Sequence, residues 1–119
     1  MRFLFKFMIL LVLATMPVAA ARAHAILMES TPAANATVAG PAIDFTLRYN
    51  TRIDGTRSRL TLTLPDRSTQ VLPITETATE DGLRTTASLT PGLYSLRWQV
   101  LAADGHITRG DVPFTVGDN

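Results

Sequence analysis

The chain has 119 residues, with 11 basic against 10 acidic side chains, a formal charge of +1 and no cysteine. That length allows one domain, and the missing thiols exclude disulfides, thiolate metal sites and cysteine nucleophiles. Charge so nearly balanced does not make a nucleic-acid surface, which needs clustered positive side chains.

Arg2 and Lys6 precede an apolar segment, Phe7 to Leu13, that runs on to Ala21, and Ala21-Arg22-Ala23 is the small-x-small pattern read by signal peptidase. The stretch reads as a secretory signal peptide over 1–23, cleaved after Ala23 and leaving an exported domain over 24–119. An uncleaved anchor fits less well, because about fifteen mainly apolar residues fall short of the roughly 20 that span a bilayer. Arg2, Lys6 and Arg22 leave with the leader, so eight arginines face ten acidic residues and the formal charge becomes −2. No second long apolar segment follows, which predicts a soluble mature domain.

Cleavage there makes His24 the first mature residue, with a free α-amine and an imidazole that can close a chelate ring through Nδ1. By position alone it is also simply a polar first residue. Ala25 to Met28 reads as a short first strand that Pro32 ends, and Pro32 to Pro41 has loop composition. Ile43, Phe45, Leu47 and Tyr49 alternate with Asp44, Thr46 and Arg48, a strand with one wet face. Asp54-Gly55 signals a turn before the next buried stripe, Leu60, Leu62 and Leu64. Pro65-Asp66 turns the chain; Val71, Leu72 and Ile74 form a weaker strand broken by Pro73, and Glu76 to Asp81 is polar. After the Asp81-Gly82 turn, Leu83 to Leu89 alternates with Thr85, Thr86 and Ser88, and Pro91-Gly92 leads into the dominant stretch.

That stretch, Leu93 to Val116, holds two runs of period two: Tyr94, Leu96, Trp98 and Val100, then Val112, Phe114 and Val116. They meet at Ala103-Asp104-Gly105-His106, a polar turn at the end of a sheet. No helical stripe, repeat or linker is present. Six or seven short strands with Pro- and Gly-bearing turns predict an all-β fold: a small antiparallel Greek-key β-sandwich of immunoglobulin-like form. The Leu60, Trp98 and Phe114 rows should pack on the Phe45 row. A small open barrel is the alternative.

Asp104 and His106 stand two apart, so an extended backbone points both the same way, and Gly105 lets the chain turn between them. Taken alone, Asp-Gly-His is also an ordinary solvated hairpin turn. What sharpens it is that His24 and His106 are the only histidines of the chain. The amine and ring of His24, the carboxylate of Asp104 and the ring of His106 make a set of three nitrogens and one oxygen. Calcium and magnesium want more oxygen; Cu(II) suits such donors, with zinc as the competitor. Cu(I) prefers sulfur, and the mature chain offers only Met28.

The motif His24-Ala25-x-Leu27-x-x-Ser30-x-Pro32-Ala33, the Gly92-Leu93-Tyr94 turn followed by Trp98, and Asp104-Gly105-His106 with Gly110 and Phe114 behind it together resemble the CopC family of periplasmic copper-binding proteins. The resemblance spans essentially the whole mature chain. It implies a cupredoxin-like or immunoglobulin-like sandwich that holds one Cu(II) per chain through metal ligands His24, by its amine and ring, Asp104 and His106. Some members add a methionine-rich segment with a further histidine for Cu(I); Asn50 to Thr77 has neither residue, so no Cu(I) methionine site is expected. Ala103 replaces a common serine and Ala34-Asn35 a glycine-containing turn, neither of them a ligand.

The resemblance implies copper resistance and homeostasis by sequestration or delivery, a monomer, and a separate inner-membrane partner of the CopD type. Two other function classes remain. One is a copper-dependent oxidative enzyme with a histidine brace, opposed by Asp104 near an equatorial position and by Trp98 lying in the core stripe. The other is a metal-free sandwich used as an interaction module. An enzyme is not expected.

Overall fold

The structure, a computed structural model, describes residues 24–75 and 79–118. The leader expected over 1–23 lies outside them. Eight strands follow in order: β1 (Leu27–Thr31), β2 (Ala36–Ala39), β3 (Ala42–Tyr49), β4 (Ile53–Thr63), β5 (Thr69–Leu72), β6 (Gly82–Ser88), β7 (Gly92–Ala102) and β8 (Ile107–Gly117). They form a three-stranded sheet, β1-β3-β6, and a five-stranded sheet, β2-β8-β7-β4-β5. The all-β sandwich is therefore as expected, built from two separate sheets and not from an open barrel.

The period-two rows supply the core between the sheets. Ile43, Phe45, Leu47 and Tyr49 on β3 face Leu60 and Leu62 on β4, Tyr94, Leu96, Trp98 and Val100 on β7, and Val112, Phe114 and Val116 on β8, all buried. Rings tie the layers: Phe45 meets Phe114 edge-on at 5.5 Å, and Tyr49 meets Trp98 at 5.3 Å. Burying one such ring contributes about 1.5–3 kcal/mol, and the edge-on contact adds about 1 kcal/mol. Tyr94 stacks on Phe114, and its hydroxyl donates to the Thr90 carbonyl at 2.7 Å, closing the corner where β7 begins.

Three local features depart from the sequence reading. The Pro32 to Pro41 stretch holds β2, which pairs with β8 in parallel, whereas every other ladder is antiparallel. The Asn35 amide donates to the Pro113 carbonyl at 2.6 Å, and Asn35, at φ 66°, turns the chain alongside β8. Backbone pairing with a strand edge sets this element, and only Ala36 and Val38 turn inward, too short an alternation to stand out from the loop composition around it. Second, Asp54-Gly55 sits in an irregular half of β4, where the register against β7 shifts between Asp54 and Arg59. The Asp54 carboxylate takes the Thr56 amide and hydroxyl, so the turn chemistry is used inside a bulged strand. Third, β1 starts two residues later than expected and runs to Thr31.

Candidate metal centre

Three segments meet at one end of the sandwich: the residues before β1, the β3–β4 connection and the β7–β8 turn. The first is set by a bulge. Leu27 pairs with Tyr49 and Glu29 with Arg48, so Met28 is an extra residue in β1. Met28 and Glu29 both face outward as a result, and the alternation beyond them is reversed. Leu27 turns to the core and Ala25 is fully buried, which leaves His24 exposed at the rim. Met28 is 55% exposed, an outward-facing side chain.

Asn50, at the end of β3, then holds the segment twice. Its side-chain Oδ1 accepts the Ile26 amide at 2.7 Å, and its own amide donates to the Ile26 carbonyl at 3.0 Å. Two residues on, the Arg52 carbonyl accepts the Ala103 amide at 3.1 Å. One short connection thus touches both the start of the domain and the β7–β8 turn.

The turn follows from its sequence. The β7–β8 ladder runs to Leu101 and Ile107, and the Ala102 amide then donates to the His106 carbonyl at 2.8 Å. Gly105, at φ 89°, closes the reversal in a left-handed conformation where a side chain would be strained. Asp104 Oδ1 accepts the His106 amide at 3.0 Å, and Oδ2 lies 3.2 Å from His106 Nδ1. The His106 backbone amide is the main cause that holds the Asp104 carboxyl below its ordinary value, so it is anionic at neutral pH. A ring nitrogen turned to a carboxylate fixes imidazole orientation and leaves Nε2 for a metal.

His24 completes the group. Its ring meets the His106 ring edge-on, with centroids 5.2 Å apart and planes at 75°. An ion about 2 Å from one nitrogen of each ring puts the centroids roughly 4.5 Å apart at a right angle and roughly 6.3 Å apart when linear. The observed spacing falls between these limits. The fold therefore brings all three sequence-predicted residues, His24, Asp104 and His106, to one exposed rim. Among the described residues, however, no three His, Cys, Asp or Glu side chains are arranged as a ready metal cage. The donor set counted from the sequence includes the α-amine of His24, which in the uncut chain is a peptide nitrogen. Sequence reasoning missed Asn50, the Arg52 carbonyl and the buried Ala25, because none carries metal chemistry and their contacts are long-range.

A model of the CopC domain family matches residues 27–117. The chain belongs to the CopC family. Among CopC relatives it is 30% identical over 118 residues to Copper resistance protein C of Xanthomonas campestris pv. juglandis, with 91% of each chain covered. It is equally 30% identical over 109 residues to Protein YobA of Escherichia coli strain K12, covering 79% of each. Solved structures share the sandwich: CopC from Methylosinus trichosporium OB3b at TM-score 0.72 and 24% identity, over 81% of this chain and 96% of that one. PcoC from Escherichia coli, a methionine-rich copper resistance protein, follows at TM-score 0.67 and 25% identity, over 80% and 100%. The span matched to the CopC domain contains Asp104 and His106 and begins after His24.

Proposed function

We propose that the mature chain, beginning at His24 after loss of 1–23, is a periplasmic protein that holds one Cu(II) through the His24 amine and ring, Asp104 and His106. Membership of the CopC family supports copper binding and a periplasmic place in general, and a binding protein in preference to an enzyme. The observation that carries the finer reading is the apposition of the only two histidines, with their ring centroids 5.2 Å apart.

Each donor has a reason to serve Cu(II). The α-amine, with an ordinary pKa near 8, loses its proton at small cost when a metal competes for it. Its partner ring closes a chelate on the same residue, which lowers the entropy cost of the second bond. His106 adds an imidazole already oriented by Asp104. Three nitrogens with a carboxylate favour the tetragonal Cu(II) ion, which also leads the divalent affinity order. Cu(I) has only Met28 as a sulfur donor outside 1–23, so no Cu(I) methionine site is proposed. The rim is open to solvent, so the ion can be taken up and handed on without unfolding. Copper sequestration or delivery follows, with the chain acting as a monomer and a CopD-like inner-membrane protein as the receiving partner.

The test is an electron paramagnetic resonance spectrum of the chain starting at His24 with one equivalent of Cu(II), beside the same chain extended by one amino-terminal residue. A tetragonal nitrogen-and-oxygen signal that changes on extension is expected. Identical spectra would remove the amine from the ligand set and with it this reading of the cleavage site.

A further inference from the structure

We propose that Asn50 is a positioning residue for the copper centre: the β3–β4 connection acts as a clamp that fixes the amino-terminal ligand against the β7–β8 turn. The functional part of this inference rests on the reading above. Its structural part stands on the metal-free protein.

The ladder between β1 and β3 ends at Leu27 and Tyr49, and the backbone bends at Asn50. A further ladder residue would offer its own carbonyl to the Ile26 amide. Here the side-chain Oδ1 of Asn50 takes that place at 2.7 Å, while the Asn50 amide still donates to the Ile26 carbonyl at 3.0 Å. Both backbone groups of Ile26 are thereby paired at a point where the main chain has already turned away. Asparagine suits the position because its short amide can imitate a peptide carbonyl at a bend.

The same bend carries the chain to Arg52, whose carbonyl accepts the Ala103 amide at 3.1 Å. The backbone around it is anchored on the other side too, with the Tyr49 amide on the Asp81 carbonyl at 2.8 Å and the Ile53 amide on the Glu80 carbonyl at 3.0 Å. Ile26 and Ala103 are thus held by residues two apart on one pinned segment. His24 lies two residues before Ile26, and extended chain advances about 3.3–3.6 Å per residue. A freed Ile26 amide would loosen the His24 ring against the His106 ring, whose centroid lies 5.2 Å away. Buried Ala25 and the main-chain bond from Asn50 to the Ile26 carbonyl limit that motion, and the Oδ1 bond restrains it further.

The experiment compares Asn50→Ala and Asn50→Asp with the parent, each starting at His24. In metal-free protein, amide hydrogen exchange reads Ile26, and a cross-ring nuclear Overhauser effect reads the His24–His106 contact. Asn50→Ala should lose roughly tenfold of its Ile26 protection, the size of one net hydrogen bond, and weaken the cross-ring signal. Asn50→Asp keeps the acceptor and should restore both. With Cu(II), competition titration should show affinity falling about three- to tenfold in Asn50→Ala and recovering in Asn50→Asp. Unchanged Ile26 protection and ring contact in Asn50→Ala, or failure of Asn50→Asp to restore them, overturns the clamp. If the parent binds no Cu(II), the proposed function falls, and the metal-free readouts still decide the clamp.

Discussion

Cu(II) should raise the melting temperature of the mature chain, and the shift should require both histidines. The structure sets the mechanism: His24 precedes β1 of the three-stranded sheet, and His106 sits on the β7–β8 turn of the five-stranded one, so a shared ion would tie the two sheets at one end. An ion at 100 times its dissociation constant adds about 2.7 kcal/mol. For a domain of this size each kcal/mol moves the midpoint by about 4–8 °C, which gives about 10–20 °C. The unfolded chain keeps the His24 chelate, so only the tie to Asp104 and His106 distinguishes the folded state, and the expectation sits at the lower end, about 10 °C. Circular dichroism melts with excess Cu(II) measure it for the parent, His24→Ala and His106→Ala. His24→Ala loses the chelate ring and His106→Ala the link between sheets, so both shifts should shrink to a few degrees. An unshifted parent, or equal shifts in all three proteins, would refute a copper tie between these elements.

Other consequences concern the sandwich that carries the site. Gly110 pairs with Trp98 across β7 and β8, and a Cβ there would collide with the Trp98 indole, so Gly110→Ala should cost about 1–3 kcal/mol of stability in a denaturant titration. Tyr49 is buried with a hydroxyl that has no hydrogen-bond partner among the described residues, and burial pushes its pKa up, keeping it neutral. Tyr49→Phe should therefore be neutral or stabilising by up to about 1 kcal/mol, and a loss above about 2 kcal/mol would show that the hydroxyl is satisfied in solution. Asp66 accepts the Ser68 hydroxyl and amide, and those bonds hold its carboxyl below the ordinary value. A carboxylate lowered on folding stabilises above its unfolded pKa, near 3.9, and loses that contribution as pH falls through its folded value. Melts of Asp66→Asn between pH 5 and pH 2 should accordingly show a shallower acid decline than the parent.

The candidate site was more legible than the fold that holds it. Two histidines in the whole chain, one behind a cleavage pattern and one beside Asp104 and Gly105, left few ways to assemble a nitrogen-rich site. Period-two rows were equally clear on β3, β7 and β8, because each of those strands buries one face, and burial imposes alternation. The four residues of β2 carried too short a signal, two half-buried side chains on a parallel backbone ladder. Nor did the bulge at Met28 show, as it changes which residues face inward without changing their types.

Composition, alternation and turn chemistry by themselves determined an all-β fold, the identity of its core rows and the three candidate ligand residues, while the choice of two sheets over an open barrel came from the structure. The first three are properties of residue type and spacing along the chain. Only the tertiary structure decided that His24 stands against His106, that β2 lies parallel to β8, and that Asn50 and Arg52 hold the two halves of the rim together. Each of these depends on backbone groups meeting across long stretches of chain, and a peptide amide or carbonyl looks the same at every position until the fold chooses its partner.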